Sequence, residues 1–394
     1  MTTSLDREAI AVAGVGTAGF GRFTDTSSAT LANRALEAAL DDAGLTRADV
    51  DGLLVQIGSH RGLDYDAAAR LLALDVRFGS QTWSHGRFAG TLIQHATLAV
   101  AAGLADVVLC LAVFRNSAFA QIGKAGFPSF DEGLREGGGP HAETHWAGLA
   151  APIGGAALAT QRYLHRYGVD REQLGHVAIA QRAAAAYNPR AVKTAPIGPD
   201  EYAASRFVVE PLRVLDCSLM IDTAVAVLVT GGERARSLRQ HPVYVRACLG
   251  LRGGPNEFVF APRGLGINQA EVFDSAPDEH TLSVFRRAGV EPADIDTLHC
   301  YDGFAPQVWW TLERFGFCAP GEAADFVAEG HTALGGRLPV NTSGGHLSEG
   351  HSNGWGQTLE IVAQLRGQAG PRQLTRCETA MWATTFGDAV IYGV

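Results

Sequence analysis

The stretches LANRALEAALDDAGLTRADVDGLLV (31–55) and TLSVFRRAGVEPADIDTLHCYDGF (281–304) decide the fold, because each reads as a copy of the other. In both, apolar residues recur at helical spacing up to a glycine placed as a C-cap, and a short polar loop then leads into an apolar strand. Ala43-Gly44 matches Ala288-Gly289, and Asp49-Val50-Asp51 matches Asp294-Ile295-Asp296, at one constant offset. Internal repetition of this kind sets the architecture before any single motif does.

The likeness extends outward. SHGRFAGTLIQHATLAVAAGLADVVLCLAV (84–113) is a loop, a long apolar-faced helix and a strand. SEGHSNGWGQTLEIVAQLRGQAG (348–370) followed by CETAMWATTFGDAVIYGV (377–394) is again loop, helix and strand. Two copies of a unit alternating strand and helix imply parallel sheets sandwiching helices. The expectation is a duplicated α/β fold with a pseudo-twofold axis. The first half spans 1–235 with a loop insertion at about 116–170, and the second spans 236–394. Within the insertion, NSAFAQIGKAGFPSFDEGLREGGGPHAETHWAG (116–148) is Gly-rich and dotted with aromatics, and reads as a lid or binding loop. Helical patterns follow at about 150–167 and 171–187, and FVVEPLRVLDCSLMIDTAVAVLVTG (207–231) returns to the sheet.

Composition narrows the function. The chain has 394 residues, 46% of them apolar and 19% charged, enough for a sizeable core. Its net charge of −9 comes with no basic run, which argues against nucleic acid or an anionic membrane as partner. No apolar stretch reaches membrane-spanning length, and MTTSLDREAI lacks a basic leader with an apolar run, so a cytoplasmic protein is expected. The six cysteines (Cys110, Cys217, Cys248, Cys300, Cys318, Cys377) are scattered without CxxC pairs and read as reduced core thiols. Only two lysines occur, Lys124 and Lys193.

GVGTAG (14–19) follows the apolar AIAVA and matches a dinucleotide fingerprint. That fingerprint needs a helix starting inside the glycines. Here FGRFTDTSS intervenes, the helix is expected near Ser28, and Asp41 and Asp42 fall within it. A flexible strand-exit loop is the better reading.

Two loops that open helices carry the functional expectation. In a duplicated fold, equivalent helix N-termini face one another across the axis, each offering free N–H groups and partial positive charge. A carbonyl oxygen gaining negative charge, for instance that of a thioester, would be stabilised there. His351, in NTSGGHLSEGHSNGWG (341–356), falls opposite His85-Gly86 when the two helices are superposed. Tyr301 and Asp302, in HCYDGFAP (299–306), sit where an apolar strand meets a loop, a usual place for reactive groups in α/β folds. His346 can serve the site or merely bond its loop, His85 can be a polar surface residue, and Asp302 fits a structural cap as well as an acid catalyst. Trp309-Trp310 are expected to fill the core behind the site.

With these residues in view, YDGFAP, VNTSGGHLSEGHSNG, DCSLMIDTAVAVLV and FGDAVIYG resemble the thiolase superfamily across essentially the whole chain. They look most like its sterol-carrier-protein-type thiolase-like branch, which includes aldolases of steroid side-chain degradation. The resemblance implies a five-layer α/β/α/β/α fold, a homodimer, and acyl-CoA thioesters as substrates, with coenzyme A as part of the substrate. Thiolases place a nucleophilic cysteine in the first-half loop, where this chain has Gly86. Their second cysteine corresponds to a position near Met381, with Cys377 four residues early. The family histidine matches His351, followed here by Ser352, and Tyr301 stands where the related aldolases have tyrosine. Those aldolases carry a second tyrosine where this chain has His351. With both thiols missing, the resemblance implies retro-aldol (or aldol) chemistry on a 3-hydroxyacyl-CoA.

Other aldolases use a Schiff-base lysine or a metal. Lys124 lies in the Gly-rich insertion and Lys193 in a polar loop, and the pairs His346/His351 and His141/His145 form no acid–histidine set such as H-E-x-x-H, so no metal is expected. Tyr301 would take or relay the hydroxyl proton with His351 as assistant. Backbone N–H groups near Gly86 and Gly344-Gly345 would form the oxyanion pocket, and Asn341 and Ser348 are grouped with the substrate-binding residues. The resemblance also implies a small zinc-ribbon/OB-fold partner subunit completing the CoA channel. Two other readings stay open: an acyltransferase or condensing enzyme, and a non-catalytic acyl-CoA-binding subunit.

Overall fold

A computed structural model describes residues 7–57, 63–83, 88–115, 152–250 and 276–394. Each copy of the repeat closes its first helix in the same way. Strand β1 (Ile10–Gly21) leads to α1 (Ser28–Ala43), whose N-cap Ser27 accepts from the Thr30 N–H and whose C-cap Gly44 turns left-handed at φ 72°. Then come β2 (Gly52–Ile57), α2 (Tyr65–Leu71), β3 (Phe78–Trp83), α3 (Phe88–Ala101) and β4 (Val107–Arg115). The chain continues through α4 (Pro152–Tyr167), α5 (Leu174–Ala185), α6 (Pro199–Ala204), the small pair β5 (Phe207–Val209) and β6 (Leu212–Arg213), β7 (Asp222–Gly231) and α7 (Gly232–Ala235). The second copy opens on β8 (Val243–Leu249) and α8 (Glu279–Ala288), capped by Asp278 and by Gly289 at φ 65°. It proceeds through β9 (Thr297–Cys300), α9 (Pro306–Arg314), α10 (Ala323–Ala328), α11 (Gly345–Ser348), α12 (Trp355–Leu365), β10 (Thr379–Ala383) and β11 (Ala389–Gly393).

The main sheet has the order β3-β2-β4-β7-β1-β8-β11-β10-β9. At its middle β1 and β8 pair antiparallel, through Ala11↔Tyr244 and Val12↔Val243. Outward from that pair, β7, β4 and β2 on one side correspond to β11, β10 and β9 on the other. Where a counterpart of β3 belongs, Val340 bridges Leu298 in parallel. An antiparallel central pair with matching order on both sides is what a twofold generates.

The sheet is mixed, where the repeat alone pointed to parallel strands. β2 pairs parallel with β3 and β4, and β9 with β10, but β7 and β11 run antiparallel to both of their neighbours. Only a short turn separates β10 from β11, which permits a hairpin and no crossover.

Both faces of the sheet are covered. Along β4, Val107, Leu109, Leu111 and Val113 pack with α1, while Val108, Cys110, Ala112 and Phe114 join a central cluster with α3 and α12. On the other side, Met381 and Ala383 of β10 face α4, α5 and α8 to α10, while Ala380 and Trp382 face the central helices. The layers are therefore helix, first half of the sheet, central helices, second half of the sheet, helix. Each fully buried aliphatic side chain contributes about 1.5–3 kcal/mol relative to exposure. No helix among the described residues is long and apolar enough to cross a membrane.

GVGTAG is strand, not loop. β1 runs through it because Gly14 and Gly16 let α1 approach: a Cβ at either would strike the carbonyl oxygens of Ala39 or Ala35. Asp42 lies within α1 and accepts from the Val15 N–H (2.9 Å) and from Arg366 (2.8 Å), so that acid fastens the helix to the strand.

Candidate active site

β9 ends at Cys300, and the next two residues diverge. The Tyr301 N–H donates to Ala383 O (3.1 Å), which leaves the ring at the strand end with a partly exposed edge. Asp302 turns inward and is fully buried. Both of its oxygens accept from the His346 N–H (3.0 Å), and Oδ1 also accepts from Gln357 Nε2 (2.9 Å).

The loop opened by Asn341 is pinned against this strand end. The Asn341 amide accepts from the Cys300 N–H (2.9 Å) and donates to Cys300 O (3.1 Å), as a neighbouring strand would. The Gly344 N–H is committed to Asn341 O (2.8 Å). Gly345 has φ 56°, and a Cβ there would strike Asp302 Oδ2, so only glycine lets α11 sit this close. Ser348 Oγ accepts from Arg182 Nε (2.9 Å).

Residues 217–221 stitch the two loops together. The Ser218 N–H donates to Gly303 O (3.0 Å), the Leu219 N–H to His346 O (3.0 Å), and the His351 N–H to Leu219 O (2.8 Å).

Three rings meet there. Tyr301 Oη lies 3.1 Å from His351 Nε2, and the ring centroids are 5.1 Å apart for Tyr301–His346 and 4.8 Å for His346–His351. The Gly354 N–H donates to His346 Nε2 (3.2 Å). An imidazole nitrogen that accepts carries no hydrogen, so the hydrogen is on Nδ1, which stands 3.1 Å from Asp302 Oδ1. Burial, and secondarily His346, pushes His351 well below its ordinary value, so its ring is neutral at neutral pH. Burial, with Asp302 behind it, pushes the Tyr301 phenol up, so the hydroxyl keeps its proton. The arrangement pairs a protonated phenol with a neutral imidazole.

Beneath the loop lies a set of buried ions that reading the sequence missed. Glu349 accepts from Arg190 Nε (3.0 Å), Asn188 Nδ2 (3.0 Å) and Ser343 Oγ (2.8 Å). Glu360 on α12 accepts from Arg372 (3.0 and 2.8 Å) and Arg190 Nη2 (3.3 Å). Burial works against charge on Glu360, but Arg372 and Arg190 hold it below the usual carboxylate range. An acid inside the apolar run QTLEIVAQL was the available signal, because a buried charge needs a partner.

The structure brings together Tyr301, Asp302, Asn341, Gly344, Gly345, His346, Ser348 and His351. His85, Gly86, Lys124, His141 and His145 lie outside the described residues, as does 116–148. Trp309 and Trp310 are buried behind the site. Met381 faces the outer cluster, Trp382 faces α3 and α12, and Cys377 precedes β10 at the end away from Tyr301. All six cysteines are free, and four of them are only partly buried. Burial raises every thiol, to about 12 for Cys217, Cys248, Cys318 and Cys377 and further for Cys110 and Cys300. None is an activated nucleophile, which requires a lowered value.

A family model described as thiolase C-terminal domain-like matches residues 268–390. A 17-hydroxy-3-oxo-4-pregnene-20-carboxyl-CoA lyase of Mycobacterium tuberculosis is 35% identical over 363 residues, covering 91% of each chain. A steroid side-chain-cleaving aldolase of Thermomonospora curvata is 34% identical over 374 residues, covering 91% of this chain and 90% of its own. Among solved structures, the Ltp2-ChsH2(DUF35) aldolase superposes with a TM-score of 0.87 at 32% identity over 99% of both chains. The chain belongs to the thiolase superfamily, in its sterol-carrier-protein-type thiolase-like branch.

Proposed function

We propose that the protein is a CoA-dependent aldolase, a carbon–carbon lyase that cleaves or forms the Cα–Cβ bond of a 3-hydroxyacyl-CoA. The observation that carries this reading is the Tyr301–His351 pair, 3.1 Å between Oη and Nε2, in a chain whose thiols are all raised. Such a pair suits proton relay, and chemistry through an acyl-cysteine has no thiolate to use. The relatives support the reaction class, and the 17-hydroxy-20-carboxyl-CoA named for one of them carries its hydroxyl β to the thioester.

In the cleavage direction Tyr301 takes the proton of the β-hydroxyl and passes its own to His351 Nε2. The oxygen forms a ketone or aldehyde, and the electron pair of the broken Cα–Cβ bond enters the thioester enolate. The proton taken up by His351 then returns to Cα of the enolate, which releases the shortened acyl-CoA and restores both side chains, so atoms and charge balance. His346, held by Asp302 and the Gly354 N–H, walls the site beside both rings. With the Gly344 N–H committed to Asn341 O, the backbone donors to the enolate oxygen in this reading come from Gly345 and from the N-terminal end of α3. Loss of one such donor costs about 3–4 kcal/mol of transition-state stabilisation in comparable sites.

A small DUF35-type partner subunit is proposed from the complex named in the solved relative. A second copy of the chain is the proposed partner for β3, which stands at the sheet edge. The test is mass-spectrometric product analysis with a panel of 3-hydroxyacyl-CoAs, with and without a small zinc-ribbon/OB-fold subunit. A ketone or aldehyde plus a shortened acyl-CoA supports the aldolase. A trapped covalent acyl-enzyme would move the assignment to acyl transfer, and tight CoA binding without turnover to a binding subunit.

A further inference from the structure

The loop carrying His346 and His351 is fastened from behind by residues 187–193, a strap that follows α5. Along it, the Asn188 side chain donates to Ser343 O (2.8 Å) and to Glu349 Oε1 (3.0 Å). The Val192 N–H donates to Glu349 O (3.3 Å) and the Lys193 N–H to Ser348 O (3.0 Å). Arg372 reaches Tyr187 O (2.7 Å). Thus the strap bonds the loop at Ser343, Ser348 and Glu349.

At its centre Arg190 bridges two acids. Nε meets Glu349 Oε1 at 3.0 Å, and Nη2 meets Glu360 Oε2 at 3.3 Å. Glu349 lies three residues after His346 and two before His351, and Glu360 lies on the helix that the loop opens. Both acids are buried, with side-chain exposures of 1% and 0%, against 24% for Arg190. Arg190 and Arg372 balance Glu349 and Glu360, so removing Arg190 leaves one uncompensated charge beneath the loop.

We propose that Arg190 is a positioning residue: through Glu349 and Glu360 it sets the backbone between His346 and His351 in the register that brings the His351 ring to the Tyr301 hydroxyl. It touches neither ring and acts only through the loop. Lysine replaces it poorly, because one ammonium cannot span two carboxylates as a planar guanidinium does. The kinetic consequence rests on the aldolase reading given above; the geometric one does not.

The experiment uses full-length protein carrying 13C-labelled histidine, with the ring signals of His346 and His351 assigned by His346→Asn and His351→Asn. Arg190→Met is expected to shift both signals and to lower kcat about 10–100-fold, the scale of a roughly 1 Å misplacement of a reacting group. KM should stay within about threefold, because substrate contacts are unchanged. Arg190→Lys should fall between the two. Unmoved signals, or moved signals with kcat within about twofold of the parent, overturn the assignment. If the parent protein cleaves no 3-hydroxyacyl-CoA, the aldolase reading fails and the ring signals alone decide on Arg190. If Arg190→Met does not fold, Glu349→Gln, which keeps shape and loses charge, is judged by the same two readouts.

Discussion

The hydroxyl of Tyr301, at the end of one strand, lies 3.1 Å from Nε2 of His351, fifty positions later in a glycine-rich loop. If that contact is a proton path, Tyr301→Phe keeps the ring packing and removes only the relay. Folding should be little affected, because one hydrogen bond contributes about 1 kcal/mol net. Turnover of a 3-hydroxyacyl-CoA should drop about 10²–10⁴-fold, the usual contribution of a positioned acid–base group. Steady-state kinetics beside a thermal melt decides it; unchanged kcat would remove Tyr301 from the reaction.

The pH profile follows from the two shifts. His351 must be neutral to accept a proton, and burial with His346 nearby holds its pKa well below 6.5. Activity is therefore lost only as pH falls past that lowered value, and kcat/KM should be level through 6.5. Tyr301 is raised from 10, which puts the alkaline limb above 10. An acid limb centred on 6.5 would show an ordinary, solvated histidine in this role and sink the relay.

Two buried groups act in opposite directions on stability at mild acid. His299 on β9 is fully buried, and burial lowers it from 6.5 to about 4. The unfolded chain then takes up the proton first, so stability from His299 is full above 6.5 and declines as pH falls toward 4, by up to about 3 kcal/mol. Asp216, raised by burial from 3.8 to about 6, does the reverse: the folded form binds its proton first, and stability is gained as pH falls through 6. His299→Gln should flatten the loss of Tm between pH 7 and 4.5, and Asp216→Asn should steepen it. Melts across that range check both signs; identical slopes in the three proteins would refute them.

What could be read from the chain, and what could not, follows the range of the interactions. The duplication was legible because helix-capping glycines and strand spacing are local: Gly44 and Gly289 are left-handed at φ 72° and 65°, as the patterns required. The same offset (289 − 44 = 245) carries Gln56, which accepts from Trp355 Nε1, onto Tyr301, so the strand-end position could also have been located from the repeat. GVGTAG misled because the need for glycine there arises from α1 lying against β1, a contact that no motif records. The strap was invisible for the same reason, since Arg190 and Glu349 lie 159 positions apart and meet only in the folded chain.

The buried ions supply the last prediction. Arg372 makes two contacts with Glu360, at 3.0 and 2.8 Å, and Glu360 is fully buried. Arg372→Met leaves that carboxylate with Arg190 as its remaining cation, at 3.3 Å, and should cost about 3–5 kcal/mol, the penalty of stripping one partner from a buried pair. Glu360→Gln alone strands the guanidinium less severely, because Arg372 still donates to Tyr187 O. The double variant Glu360→Gln/Arg372→Met removes both charges and should be less destabilised than the sum of the single changes by about 1–3 kcal/mol. Chemical denaturation of the four proteins measures that difference. Additive losses would mean that the two charges do not depend on one another, and that α12 is held in place by its apolar face alone.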